Sequence, residues 1–483
     1  MKTLHLNFAL AAVASLTMAT SASADESADR GAYVAIQADC NACHMNPERK
    51  DQPFAGGYRI HSPFGEIVAS NISPSKEFGI GTWTEAEFAR AIREGVSKDG
   101  SNLYPAMPYV EYSQMSDGDI HDLYNYFMKS VKPVDAAPEA KTSLEFPFNF
   151  RIAMTGWNML FRPTPGSTKF DLSDEISRGK YLTDVMGHCT TCHTPRGFSM
   201  NSDNAQYLGG SDLGGWYAPN ITSDKMSGVG SWSIDEMASY LKNGRLAGKA
   251  QAAGPMAEAV EHSFSKMRDE DLHAIAAYLK TVPAITSPAE ATSPASSADR
   301  AHYDFEGAKA QSVLMAAVAT TPIGKDLLET RINTDTSGVT DGARLYVNAC
   351  ATCHMPNGAG TSDTYYPSLF NNATVDTAIP NNLVMTILEG VHRDANGHHA
   401  FMPGFREDFT NEQVASLANY VSQTYGGGKM NVTSDKVEEI KNGGATPLIK
   451  KLVPWAIAAG LFLAAAILAL LVMLRLRRAS PAT

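Results

Sequence analysis

All six cysteines of the 483-residue chain fall in three copies of Cys-x-x-Cys-His: Cys40/Cys43/His44, Cys189/Cys192/His193 and Cys350/Cys353/His354. That spacing suits covalent attachment of c-type haem, with two thioethers on the vinyl edge of the macrocycle and the adjacent histidine reaching its iron. Other uses of paired cysteines explain less. A thioredoxin-type pair needs one Cys-x-x-Cys on a βαβ framework and no histidine after it. Structural zinc takes four ligands closing on one site, whereas these pairs lie 149 and 161 residues apart. Disulfides within each pair would leave three histidines unexplained. The expectation is three covalent haem c groups and a chain that carries electrons.

The motifs fix His44, His193 and His354 as proximal ligands, and the sixth ligand then decides the chemistry. Methionine gives a closed, six-coordinate, high-potential iron that changes charge without binding substrate. Of twenty methionines, Met107 and Met402 each precede a proline, while Met256 follows Pro255 but shares the register of Met107. These three are the candidate axial ligands. Met115 and Met267, which match each other, compete with them, as do His392, His398 and His399 after the third motif; an isolated methionine is commonly core filler. His121 and His273 are expected at the surface, and Trp83 and Trp232 in the haem pockets. His188 reads as a propionate contact or a loop histidine without a role, and Arg196 as a propionate partner.

The elements that must position these residues repeat along the chain. Adding 149 carries Cys40 to Cys189, Asn71 to Asn220, Gly79 to Gly228, Trp83 to Trp232 and Met107 to Met256 without a gap. The third segment is shorter, with 48 residues from His354 to Met402 where the others have 63. Each copy reads as a helix leading into the motif, a loop, an amphipathic helix from about Thr84, Ser233 or Asn382, and a closing helix with apolar residues at three- and four-residue intervals. The fold class expected is mainly α, with three tandem class I cytochrome c domains and one C-terminal transmembrane helix.

Composition marks the boundaries. Residues 1–24 read as a signal peptide, with Lys2, an apolar stretch and Ala22-Ser23-Ala24 before Asp25. The first domain then spans 25–135, an aromatic-rich connector 136–170, and the second domain 171–284. An Ala/Ser/Pro linker over 285–335, the third domain over 336–428 and a polar tether over 429–451 follow. Leu452 to Leu474 is a run of 23 uncharged residues, which as a helix is ~35 Å long and spans a hydrocarbon core of about 30 Å. Trp455 marks its outer boundary, and 475–483 is the expected cytoplasmic tail. A net charge of −11 excludes nucleic acid as a partner, since that surface needs basic patches. No dinucleotide fingerprint or nucleophile elbow occurs, so the chain is expected to be non-catalytic alone.

Three stretches carry a resemblance over nearly the whole mature chain: Gly100-Ser101-x-Leu103-Tyr104-Pro105-Ala106-Met107-Pro108-Tyr109, Cys192-His193-Thr194-Pro195-Arg196-Gly197-Phe198 and Gly254-Pro255-Met256-Ala257-Glu258. With the three motifs, they resemble the triple-haem cytochrome c subunits of membrane-bound alcohol, sugar and sugar-acid dehydrogenases. The resemblance implies a catalytic dehydrogenase subunit, a small subunit, and ubiquinone as acceptor. It also implies haem domains on the periplasmic side of a bacterial inner membrane, and axial ligation by Met107, Met256 and Met402. Family members with a C-terminal membrane helix serve flavin dehydrogenases, with gluconate 2-dehydrogenase the best single expectation. A pyrroloquinoline quinone alcohol dehydrogenase, a haem peroxidase and an oxidase-linked carrier are the alternatives.

Overall fold

The structure is a computed structural model, which describes residues 26–291, 338 and 340–479; the expected signal peptide and most of the expected linker lie outside the described residues. Three helical units follow one another, each built on a crossing between a leading and a closing helix. In the first, a helix over 26–37 meets Asp117–Lys129; in the second, Glu175–Tyr181 meets Asp269–Thr281; in the third, Gly342–Ala349 meets Asn411–Tyr425. Each crossing needs a glycine. A Cβ on Gly31 would stand 1.9 Å from the Asp122 carbonyl oxygen, on Gly179 1.9 Å from that of Ala274, and on Gly342 2.3 Å from that of Ser416. Backbones this close exclude any side chain.

The middle helices start where the sequence places them. Glu85–Glu94 and Ile234–Asn243 open on capping boxes, Thr84 with Glu87 and Ser233 with Glu236, and Thr410 with Gln413 does the same for the third closing helix. Each such cap stabilises its helix by about 1 kcal/mol. Short antiparallel hairpins fill the loops, the longest being Val391–Ala395 against His398–Met402 in the third unit. The leading helices of units one and two match at an offset of 148, one less than the motifs. A π-helical turn at Leu182–Met186 absorbs the extra residue of the second copy.

Units one and two share a single hydrophobic core that runs from Val34 and Phe127 through Val185 and Leu272 to Val282. Their interface is reciprocal. Tyr33 donates to Asp271 (2.5 Å) and receives the Arg268 amide (2.9 Å); its counterpart Tyr181 donates to Asp119 (2.5 Å) and receives the Ser116 amide (3.0 Å). The same patch on each copy thus binds the other, as at a two-fold interface between subunits.

The third unit has its own core around Leu345, Val384, Leu417 and Val421. Residues 429–441, expected to be tether, belong to it. Met430, Val432, Val437 and Ile440 are buried there, the last two on the helix Ser434–Lys441. Their spacing gives this otherwise polar stretch an apolar stripe, which outweighs its charge. The expected linker likewise begins as a packed strap: buried Glu290 accepts from the Tyr217 hydroxyl (2.8 Å) and the Asn220 amide (2.6 Å). A helix over Leu448–Ala479 ends the described chain, and Leu448–Arg475 is long and apolar enough to cross a membrane, with none of it buried by the rest of the protein.

Candidate haem-binding sites

Each motif folds as a single helical turn: Cys40–His44, Thr190–His193 after Cys189, and Ala351–His354 after Cys350. A residue four positions on lies on the same helical face. The amides of His193 and His354 accordingly bond the carbonyls of Cys189 (2.8 Å) and Cys350 (2.9 Å). Both cysteines and the histidine of each motif are so brought to one side. The six thiols are unpaired. Burial pushes Cys40, Cys43, Cys189 and Cys350 up to about 12 and Cys192 up to about 11. A thioredoxin-type pair needs the opposite, a thiol made acidic. Among the described residues no three His, Cys, Asp or Glu side chains converge to hold a metal, so the zinc alternative lacks a site.

Cys353 departs from the pattern expected of six equivalent attachment points. Its sulfur lies beside the Tyr366 phenol, whose pKa is raised first of all by Cys353. The reason is local. Tyr366 directly precedes Pro367, whose carbonyl holds His354, so the loop that orients this imidazole also brings a phenol to the sulfur. A thioether sulfur still accepts weakly from a phenol, so the contact is compatible with haem attachment at Cys353.

The histidines carry the fit to haem. His44 Nδ1 lies 2.7 Å from the Ser70 carbonyl, His193 Nδ1 2.6 Å from that of Pro219, and His354 Nδ1 2.9 Å from that of Pro367. A carbonyl only accepts, so Nδ1 bears the proton and Nε2 keeps its lone pair for iron. Burial lowers the pKa of all three rings, which holds them neutral.

Two asparagines position the carbonyls that hold two of these histidines. Asn71 and Asn220 directly follow the carbonyls that hold His44 and His193, and both are buried. Asn71 Nδ2 donates to the carbonyls of Val134 (2.8 Å) and Ala136 (3.0 Å), and its Oδ1 accepts the Ser73 amide. Asn220 repeats this with Ile285 (2.6 Å) and Thr222. The duplicated Asn-Ile-Ser/Thr was the available signal; its role depends on straps that only the fold brings near.

The candidate sixth ligands lie on three different supports. Met107 sits in the loop before the short helix Tyr109–Tyr112, Met256 in the first turn of Gly254–His262, and Met402 at the end of the strand His398–Met402. All three are partly buried, Met107 and Met256 at the margin of the shared core. Their rivals are placed elsewhere. Met115 and Met267 are sealed in that core, and His392, His398 and His399 are exposed on the third unit's hairpin.

Other expected residues resolve as follows. Trp83 and Trp232 pack partly buried against the core, with Lys249 over the Trp232 ring. His121 meets Glu85 and His273 meets Asp235, both at the surface. His188 is no free loop residue: burial lowers it to about 4, and its ring stands edge-on to Tyr112 of the first unit. Arg196 binds the Thr191 carbonyl (2.7 Å) within the second motif. The motifs of units one and two are neighbours, since Gly254–His262 packs on Cys40–His44.

Comparison with known proteins agrees with this chemistry. The cytochrome c family model matches residues 176–283 and 339–424. The chain is 43% identical to the fructose dehydrogenase cytochrome subunit of Gluconobacter japonicus, over 88% of this chain and 85% of that one. It is 36% identical to the cytochrome c subunit of alcohol dehydrogenase (quinone) from Gluconacetobacter polyoxogenes, over 86% and 84% of the two chains. Identity to the gluconate 2-dehydrogenase cytochrome c subunit of Pantoea cypripedii is 32%, over 88% and 93%. Each of these relatives is the cytochrome subunit of a dehydrogenase. The chain belongs to the family of cytochrome c subunits of bacterial fructose, alcohol and gluconate dehydrogenases.

Proposed function

We propose that this protein passes electrons from a periplasmic dehydrogenase to ubiquinone through three haem c groups. They are attached at Cys40 and Cys43, at Cys189 and Cys192, and at Cys350 and Cys353, with His44/Met107, His193/Met256 and His354/Met402 as axial pairs. The observation that carries this reading is the threefold recurrence of a motif turn whose histidine is tied through Nδ1 to a main-chain carbonyl. Haem bound there supplies one-electron redox chemistry. The protein's part is to orient each imidazole, to seal the far side with a thioether, and to exclude water. The first unit, like the two matched by the family model, is taken as a cytochrome c domain, on its register and its reciprocal packing with the second.

The second unit touches both others, which favours it as the relay between the first and third. The partner is proposed to be flavin-dependent, with a small subunit beside it. The higher identity to the fructose dehydrogenase subunit favours a ketose or polyol oxidase over a gluconate oxidase. The leader exports the chain, Leu448–Ala479 anchors it in the inner membrane, and the haem units face the periplasm.

Purification of the tagged full chain from membranes in mild detergent tests this reading. The mature chain is expected to carry three haem mass increments and to bring down a flavoprotein that oxidises a sugar or polyol. Fewer than three haems would end the proposal, as would a copper–haem oxidase in place of a dehydrogenase. A pyrroloquinoline quinone enzyme in the pull-down would replace the flavin partner and leave the electron path standing.

A further inference from the structure

The connector between units one and two is folded inside out. Its helix Ala153–Phe161 turns the polar Asn158 inward, where it is buried and accepts from the Tyr109 hydroxyl (2.7 Å) while donating to Asn102 (3.1 Å). Trp157 pins the helix through the Ser199 carbonyl (2.8 Å). Its apolar residues face out: Met159 is 83% exposed, Leu160 77% and Ile152 77%, continuing into Phe146 and Phe150, whose rings touch at 5.7 Å. A helix that buries its amide and presents methionine, leucine and isoleucine to water is built for a surrounding that is not water.

The position of the patch identifies that surrounding. Lys450, at the foot of the apolar helix Leu448–Ala479, donates to Glu145 (2.9 Å) and to the Pro63 carbonyl (2.5 Å). Glu145 is the residue before Phe146, and its amide bonds the Phe64 carbonyl (2.8 Å). The patch therefore begins where the chain enters the bilayer. We propose that the connector helix, with Phe146 and Phe150, lies in the interfacial zone of the membrane that the C-terminal helix crosses. The first unit is then held on the lipid surface, with the Met107 loop directly behind the helix through Asn102 and Tyr109. This inference rests on the C-terminal helix being an anchor.

The test uses the full-length holoprotein in phosphatidylcholine vesicles, with no dehydrogenase present. Its six native cysteines are consumed as thioethers, so an introduced cysteine is the one reactive thiol. Met159→Cys and Leu160→Cys are expected to react with a charged, membrane-impermeant maleimide about tenfold more slowly than Glu270→Cys, because a lipid-bathed thiol ionises poorly. Leu463→Cys, mid-helix, is expected not to react. If positions 159 and 160 label as fast as 270 while 463 stays protected, the connector lies in water and the inference falls alone. If 463 also labels freely, the anchor and the inference fall together. Protection at 159 and 160 that disappears when the chain is diluted in excess lipid would assign the patch to a second copy of the chain and overturn it.

Discussion

The first two units and the third solve the same problem with different architecture. Units one and two pool one core and exchange tyrosine–aspartate bonds in both directions. The third keeps a core of its own and joins the second through polar grafts and two apolar contacts, Ala395 in the shared core and Trp216 against the third unit's core. Buried Arg393 donates to the Ala252 carbonyl (2.6 Å), and Asn382 pairs with both main-chain groups of Tyr217 (2.8 and 2.9 Å). The methionine differs too: a loop or helix presents it in the pair, a strand in the third unit. The interface is self-complementary in form, yet its two halves are separate residues of one chain, so each contact can be changed alone. The third copy is shorter between its motif and its middle helix, and its hairpin before Met402, longer than the pairings at the same place in units one and two, is also its handle on unit two.

The largest test of this division concerns the irons. Met107→Ala, Met256→Ala and Met402→Ala are each expected to turn one haem of three from low-spin to a form that binds carbon monoxide, read by optical spectroscopy and stoichiometric titration. Met115→Leu and Met267→Leu should leave every haem closed. Survival of the third haem's low-spin spectrum in Met402→Ala would move the hairpin's role from ligation to docking alone. Next in size are the glycine crossings. Overpacking at such a contact costs about 3 kcal/mol. Gly179→Ala is expected to perturb the haems of both units one and two, because their core is common, whereas Gly342→Ala should perturb the third alone. A three-haem response to Gly342→Ala, followed by thermal melting at a haem-specific wavelength, would refute the separation.

Much of this division was legible beforehand where it depended on local chemistry. The starts of the middle helices near Thr84 and Ser233 and the three- and four-residue apolar spacing of the closing helices are short-range signals, and those helices lie where the signals put them. Cys353 was legible as a motif position, whereas the phenol of Tyr366 beside it depends on how the following loop turns back. The duplication at an offset of 149 announced equal folds. It did not announce that the copies face each other, since Tyr33 and Asp271 are 238 residues apart and neither is unusual alone. The tether was misread for a related reason. Met430, Val432, Val437 and Ile440 are apolar residues in a polar stretch, and only the groove beside Asn411–Tyr425 gives them something to cover. Asn71 and Asn220 were visible as repeats, but their work is done across 65 residues or so, through straps read as linker.

A smaller effect sharpens the interface itself. A hydrogen bond to a charged group contributes about 1.5–3 kcal/mol when buried. Asp271 is fully buried and keeps Arg178 (2.5 Å) and Gln37 (3.2 Å) when Tyr33 is lost. Asp119 keeps Ser116 (2.6 Å) near the surface. Tyr33→Phe and Tyr181→Phe are therefore each expected to lower the stability of the paired units by about 1–2 kcal/mol, without moving the third. Denaturation followed at the haems of each region separates the two outcomes.

The smallest difference is one of pH. At the joint between units one and two, burial raises the pKa of Asp39, Glu111 and Glu258, and one Asp39 oxygen is enclosed without a partner. A raised carboxyl pKa means that the native pair holds protons the unfolded chain releases. That contribution is whole below the ordinary carboxylate range and is lost as pH rises through the folded values. In the third unit the shifted carboxylates, Asp363 and Glu438, are held down, by the Thr361 hydroxyl and the Asn411 amide first. Their contribution is present above the ordinary range and disappears as pH falls through the lowered values. Acid should weaken both regions, since Glu236 in the second unit is also held down, chiefly by Lys249. Only the pair should also weaken as pH climbs from mildly acidic towards neutral. Glu258→Gln, which can still accept from the Tyr58 hydroxyl, is expected to flatten that limb of the melting-temperature profile. An unchanged limb would place the titration at Asp39, Glu111, Asp212 or Glu290, which burial also raises, and the same limb in the third unit's melt would erase the distinction between the two regions.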